Sequence, residues 1–114
     1  MKTTILHNPR CSKSRETLQL LEEKGEEIEI VRYLEDTPTR EELENILSLL
    51  KIKPIELVRT KEAIWKEKYK DKDLSYKEII DAMLENPRLI ERPIVIKNNK
   101  AAIGRPPKQV LDIL

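Results

Sequence analysis

The sequence predicts an α/β fold: a β-α-β unit, a helical insertion, then a β-β-α unit around a four-stranded mixed sheet. Three observations carry that expectation. Two short apolar segments, residues 3–7 and 28–31, bracket one helical pattern. Two capping-box signatures, Thr39 with Glu42 and Ser75 with Glu78, open helices in the middle of the chain. Near the end, two apolar runs flank Asn98-Asn99.

Each element follows from its residues. Residues 3–7 read as a strand, and residues 12–24 as a helix with Leu18 and Leu21 inward, stopped by Gly25. Ile28-Glu29-Ile30-Val31 alternates as a second strand, and a strand-helix-strand unit of this length implies parallel pairing through a right-handed crossover. Leu43, Ile46, Leu47 and Leu50 share one face after the first capping box; Ile79, Ile80, Met83 and Leu84 do so after the second. Asn86-Pro87 ends the latter helix. Residues 54–73 carry only weak amphipathicity, with helical parts and a solvated Lys/Glu face from Lys61 to Lys72; Trp65 reads as a packing residue there. Asn98 and Asn99 tolerate left-handed angles, so residues 94–97 and 100–103 form a tight antiparallel hairpin. Pro107 begins a last helix carrying Val110, Leu111 and Leu114. No repeat or linker divides the chain, so residues 1–114 read as one domain with an insertion over about 39–88. This order is the thioredoxin-like arrangement, in which the turn between first strand and first helix forms the active site.

Composition removes several function classes. Charged residues make up 38% of the chain, yet 22 Lys and Arg against 21 Asp and Glu leave a formal net charge of +1. That balance argues against a nucleic-acid binder relying on bulk positive charge. A single cysteine excludes an internal disulfide and fits a reducing cytosol, and with one histidine it rules out a structural zinc site; no metal is expected. No apolar stretch approaches a membrane span, and the N-terminus lacks a signal-peptide layout, so the expectation is a soluble cytoplasmic protein, monomeric and without membrane contact.

Cys11 is the residue with chemistry. It sits in His7-Asn8-Pro9-Arg10-Cys11-Ser12-Lys13-Ser14-Arg15, where a strand gives way to a helix. A helix N-terminus stabilises a thiolate, and the flanking cations add to that. His7 either orients the turn or, when protonated, stabilises the thiolate.

The turn, Ser14-Arg15, Tyr33-Leu34-Glu35, Arg92-Pro93-Ile94-Val95 and Gly104-Arg105-Pro106-Pro107 with Val110 to Leu114 resemble, in order, blocks of the glutaredoxin-dependent arsenate reductase (ArsC-like) family, and most resemble its short branch. The resemblance implies a nucleophile at Cys11 and oxyanion-holding arginines at Arg59, Arg92 and Arg105. It places His7, Ser14, Arg15 and Pro93 in supporting positions, and the fold analogy implies a cis Arg92-Pro93 bond. Ser14 falls where related dithiol proteins carry a second cysteine, so any disulfide of Cys11 must form with glutathione or another protein.

The activity implied is arsenate reduction to arsenite: Cys11 attacks arsenate, glutathione attacks the adduct, and glutaredoxin reduces the resulting species. No cofactor is bound, and glutathione is a co-substrate. Guanidinium groups suit this chemistry because they hold oxyanion oxygens by paired hydrogen bonds and offset the repulsion between two anions. Ionisation alone contributes little. Lowering a thiol pKa from ~8.5 to ~6.5 increases thiolate about 25-fold at pH 7, but lost nucleophilicity leaves a net gain of about 2.5- to 4-fold. Two other activities fit the same residues: a glutathione-dependent thiol reductase with little arsenate activity, and a regulatory module that binds RNA polymerase.

Overall fold

Strand β1 (Lys2–Leu6) takes the central position expected of an apolar segment between two partners: the sheet order is β2-β1-β3-β4. The computed structural model describes residues 2–114. Strand β2 (Glu27–Val31) pairs with β1 in parallel, with Ile5 opposite Ile30. Strand β3 (Ile94–Lys97) pairs with β1 antiparallel, with Ile5 opposite Val95, and β4 (Lys100–Ile103) completes the hairpin. The four-stranded mixed sheet is therefore as the sequence predicts.

The chain forms two compact units. One comprises the segments up to Asp36 and from Arg92 onward; the other is Thr37–Glu91.

In the sheet unit, helix α1 (Ser12–Glu23) crosses from β1 to β2. It ends in a Schellman motif: Gly25 N–H donates to Glu22 O and Glu26 N–H to Leu21 O, with Gly25 at φ 71°. Its inward stripe is Ser14, Thr17 and Leu21, with Leu18 partly covered. Leu21 packs with Ile5, Val95 and Val110, all fully buried, and each such side chain contributes about 1.5–3 kcal/mol. Val110 comes from the last element, Pro107–Ile113. This is a 3₁₀ helix and not the α-helix that the Pro107 signal suggests. Proline at the first helical position suits either helix type, so the local signal does not separate them. Asn98 and Asn99 turn the hairpin at φ 53° and 60°, the left-handed pair a two-residue loop requires.

The Thr37–Glu91 unit is helical. Both capping boxes close: Thr39 caps α2 (Arg40–Leu50) and Ser75 caps α5 (Tyr76–Glu85), each exchanging hydrogen bonds with the glutamate three residues on. Leu43, Ile46 and Leu47 face inward, as do Ile79, Ile80 and Met83. The weakly amphipathic stretch splits into two short helices, α3 (Pro54–Leu57) and α4 (Ala63–Lys68). Trp65 is buried against Tyr69, with ring centroids 5.3 Å apart. Arg40 pairs with Asp81, tying α2 to α5. No helix among the described residues is long and apolar enough to cross a membrane.

Candidate active site

The β1–α1 turn is braced from both ends. His7 N–H donates to Val31 O at 2.8 Å, continuing the β1–β2 ladder one residue past the strand. Asn8 then folds the chain back. Its Oδ1 accepts from Arg10 N–H at 3.0 Å, and its carbonyl accepts from Cys11 N–H at 3.0 Å. Arg15 reaches back from α1 to Pro9 O at 2.9 Å. Asparagine side chains close such turns readily, which explains why Asn8-Pro9 reverses the chain here.

Cys11 takes the N-cap position of α1, in extended conformation at φ −96°. Its thiol is partly exposed. Arg105 Nη2 lies 3.3 Å from Sγ, and Arg105 Nε donates to Arg92 O at 2.7 Å. Burial pushes the Cys11 pKa up. The Ser14 N–H, a hydrogen bond and the charge from Arg92, and the Lys13 N–H together outweigh burial and hold it below the ordinary thiol value. The sulfur closes no capping hydrogen bond of ordinary geometry, so the helix amides act on it as a positive rim.

Ser14 and His7 form a second layer. Ser14 is fully buried; its Oγ accepts from Asn8 N–H at 3.0 Å and shares a 2.6 Å hydrogen bond with His7 Nδ1. Burial lowers the His7 pKa, and the charges of Arg32 and Arg15 lower it further. The shift favours the neutral ring, and the Ser14 hydrogen bond is the contact by which His7 can orient the turn.

The Arg92-Pro93 bond is cis, as the fold analogy implies, and Arg105-Pro106 is cis as well. Thus Cys11, Arg92, Arg105, His7, Ser14, Arg15 and Pro93 all belong to the sheet unit. Arg59 belongs to the helical unit, just beyond α3. Its N–H donates to Leu89 O at 2.7 Å, its Nε is 3.8 Å from the Glu91 carboxylate, and its Nη1 is buried with no hydrogen-bond partner among the described residues. Among the described residues, no cluster of three or more His, Cys, Asp or Glu could hold a metal.

Three contributors carry no signal that a local reading finds. Asn8 is legible only as a turn former, although it bonds the turn from three sides. The Arg92 carbonyl that anchors Arg105 is backbone. Gly104 lies between Thr17 and Pro93, a contact across long sequence separations.

Known proteins are similar to this chain. An uncharacterised protein of Escherichia coli (strain K12), YfgD, is 53% identical over 112 residues, covering 96% of this chain and 94% of its own. A protein of Haemophilus influenzae named arsenate reductase is 48% identical over 116 residues, covering both chains completely. The solved structure titled arsenate reductase from Vibrio cholerae superposes with a TM-score of 0.95 at 47% identity, over 100% of this chain and 98% of the other. Residues 6–113 match the ArsC family from the end of β1 to the C-terminal 3₁₀ helix, and with these likenesses they establish that the chain belongs to the ArsC family.

Proposed function

We propose that this protein reduces arsenate to arsenite through a covalent adduct on Cys11, resolved by glutathione and glutaredoxin. The observation that carries the reading is the sulfur itself. Its pKa is held below the ordinary value, and Arg105 donates to it at 3.3 Å with Arg92 beside it. The relatives from Haemophilus influenzae and Vibrio cholerae that are named arsenate reductase support the substrate.

The chemistry follows from these groups. The Cys11 thiolate attacks arsenic; an arsenic–sulfur bond forms, and one arsenate oxygen leaves as water after taking protons. Arg92 and Arg105 hold the remaining oxygens and offset the repulsion between two anions. Arg59 is proposed as the third oxyanion arginine. Glutathione then displaces a second arsenate oxygen as water, giving a Cys11–arsenic–glutathione adduct. The glutaredoxin thiol attacks the glutathione sulfur, so two thiols become one mixed disulfide and the electron pair of the broken sulfur–arsenic bond reduces arsenic(V) to arsenic(III). Water finally cleaves the arsenic–Cys11 bond, releasing arsenite and the Cys11 thiol. A monothiol enzyme needs both thiols from outside, which is why glutathione is the co-substrate.

The test couples arsenate-dependent NADPH oxidation to glutathione, glutathione reductase and glutaredoxin, with a parallel arm supplying thioredoxin and thioredoxin reductase. Turnover in the first arm that Cys11→Ser abolishes is the expected result. Equal activity in wild type and Cys11→Ser refutes the nucleophile. Turnover in the thioredoxin arm alone refutes the electron donor. Glutathione trapped on Cys11 without arsenate turnover supports the thiol-reductase activity instead.

A further inference from the structure

We propose that Gly104 and Thr17 are positioning residues for Arg105: the missing Cβ at 104 lets the end of β4 lie against α1 closely enough for Arg105 to reach the Cys11 sulfur. This deepens the reading of Cys11 and Arg105 as a reacting pair, and rests on it.

The glycine is required by space and not by backbone angle. Gly104 does not occupy the left-handed region, so an alanine could adopt its conformation. A Cβ there would meet Thr17 Oγ1 at 2.5 Å, Pro93 Cγ at 2.8 Å and Thr17 Cγ2 at 3.1 Å. Both neighbours are held. Thr17 is fully buried, and its hydroxyl donates to Lys13 O at 2.8 Å, so its rotamer is tied to the first turn of α1. Pro93 is buried, and its carbonyl accepts from Gly104 N–H at 2.9 Å.

Three hydrogen bonds then lead from this contact to the sulfur. Gly104 N–H holds Pro93 O, Arg105 Nε holds Arg92 O at 2.7 Å, and Arg105 Nη2 donates to Sγ at 3.3 Å. Thr17 lies one turn along α1 from Lys13, and its hydroxyl bonds the carbonyl of that residue, whose amide, with that of Ser14, acts on the sulfur. The Gly104–Thr17 contact is therefore where the two sets of donors are brought into register. Relieving the clash from an added Cβ needs an opening of roughly an ångström to reach ordinary van der Waals distance. Directed along the Nη2–Sγ line, an opening of that size takes the 3.3 Å contact past hydrogen-bonding range.

The experiment compares wild type, Thr17→Ala, Gly104→Ala and the double variant. The first readout is the pH dependence of Cys11 alkylation by iodoacetamide; the second is kcat and KM for arsenate. Gly104→Ala is expected to raise the alkylation midpoint by about one unit and lower kcat about tenfold or more. Thr17→Ala removes both Thr17 atoms that the new Cβ would strike, the nearest of them at 2.5 Å, and leaves the Pro93 Cγ contact at 2.8 Å, so the double variant recovers part of both changes relative to Thr17→Ala. A folded Gly104→Ala protein with an unchanged midpoint and kcat overturns the proposal. So does a double variant no better than Gly104→Ala, including one that fails to fold alongside it. Alkylation involves no arsenate. A wild type without arsenate turnover, but with the midpoint shift and its rescue, overturns the proposed activity and leaves the positioning role standing.

Discussion

Replacing Ser14 with alanine tests how the turn is built. Ser14 Oγ accepts the Asn8 N–H at 3.0 Å and pairs with His7 Nδ1 at 2.6 Å, with Ser14, Asn8 and His7 only 0%, 8% and 6% exposed. Deleting the oxygen leaves two buried polar groups without a partner, at about 1–3 kcal/mol each. Alanine's better helix propensity offsets only about 0.5 kcal/mol. The net loss is about 1.5–5.5 kcal/mol. With an unfolding entropy of about 2.1 cal/mol/K per residue over 114 residues, each kcal/mol moves the melting temperature by about 4 °C. The expected drop is about 6–22 °C, read by circular dichroism. The alkylation midpoint of Cys11 moves far less than in Arg92→Ala, because the N–H that acts on the sulfur belongs to the Ser14 backbone and survives the substitution. A melting temperature within 2 °C of wild type would falsify the second-layer role; a midpoint shift as large as that of Arg92→Ala would refute the separation of backbone from side chain.

Further outcomes follow from other parts of the structure. Glu26 Oε1 accepts from both Lys97 Nζ and Thr3 Oγ1 at 2.6 Å, and these two, Lys97 foremost, hold its carboxyl below the usual range. Its contribution is present above the unfolded value of about 4.3 and is lost as pH falls through the lower folded value. The stability difference between wild type and Glu26→Gln in urea titrations is therefore constant from pH 6 to 8 and shrinks below about pH 4; a difference that persists at lower pH contradicts the pairing. Lys51 ends α2 at φ 58°, a left-handed angle that costs a side chain about 1 kcal/mol, so Lys51→Gly raises stability by about 0.5–1 kcal/mol in the same titration, and a loss refutes the strain. Arg105→Lys keeps the charge but cannot span Arg92 O and Cys11 Sγ together; kcat/KM for arsenate falls about 10²-fold or more while the alkylation midpoint rises by less than about one unit. A fall in kcat/KM no larger than the midpoint shift explains would mean that Arg105 acts on the sulfur alone.

What the sequence made legible was local. Thr39 with Glu42 and Ser75 with Glu78 announced α2 and α5 because a capping box completes itself within four residues. Asn98-Asn99 announced the hairpin, and Gly25 the end of α1, because each needs a left-handed angle that few residues accept. The 3₁₀ helix at Pro107–Ile113 escaped, since a proline at the first helical position starts either helix type. In the site, Cys11 was legible from its turn, and Arg92 and Arg105 from family blocks. That Arg105 bonds the Arg92 carbonyl and the sulfur at once was not, because those contacts join residues 13 and 94 positions apart. The downward shift of the His7 pKa was likewise hidden, as it depends on burial and on Arg32, far from the motif in sequence.

These contacts divide the work at Cys11. Lowering a thiol pKa by two units gains about 25-fold in thiolate, but the anion becomes about 6- to 10-fold less nucleophilic, so attack improves only about 2.5- to 4-fold. A cluster that only ionised Cys11 would therefore accomplish little. The helix amides of Ser14 and Lys13 already act on the sulfur, and Arg92 adds its charge. Arg105 is built differently. Its Nε is anchored on the Arg92 carbonyl while Nη2 touches Sγ, which fixes the plane of the guanidinium as well as its position. A fixed plane matters little to a thiolate, which is stabilised by charge from any direction, but it matters to an oxyanion, whose oxygens are matched by a planar fork of donors. On the proposed reading, a guanidinium anchored at both ends beside the nucleophile serves oxyanion positioning more than thiol activation. Preorganised donors of that kind are worth about 10²- to 10³-fold in rate, well above what ionisation supplies.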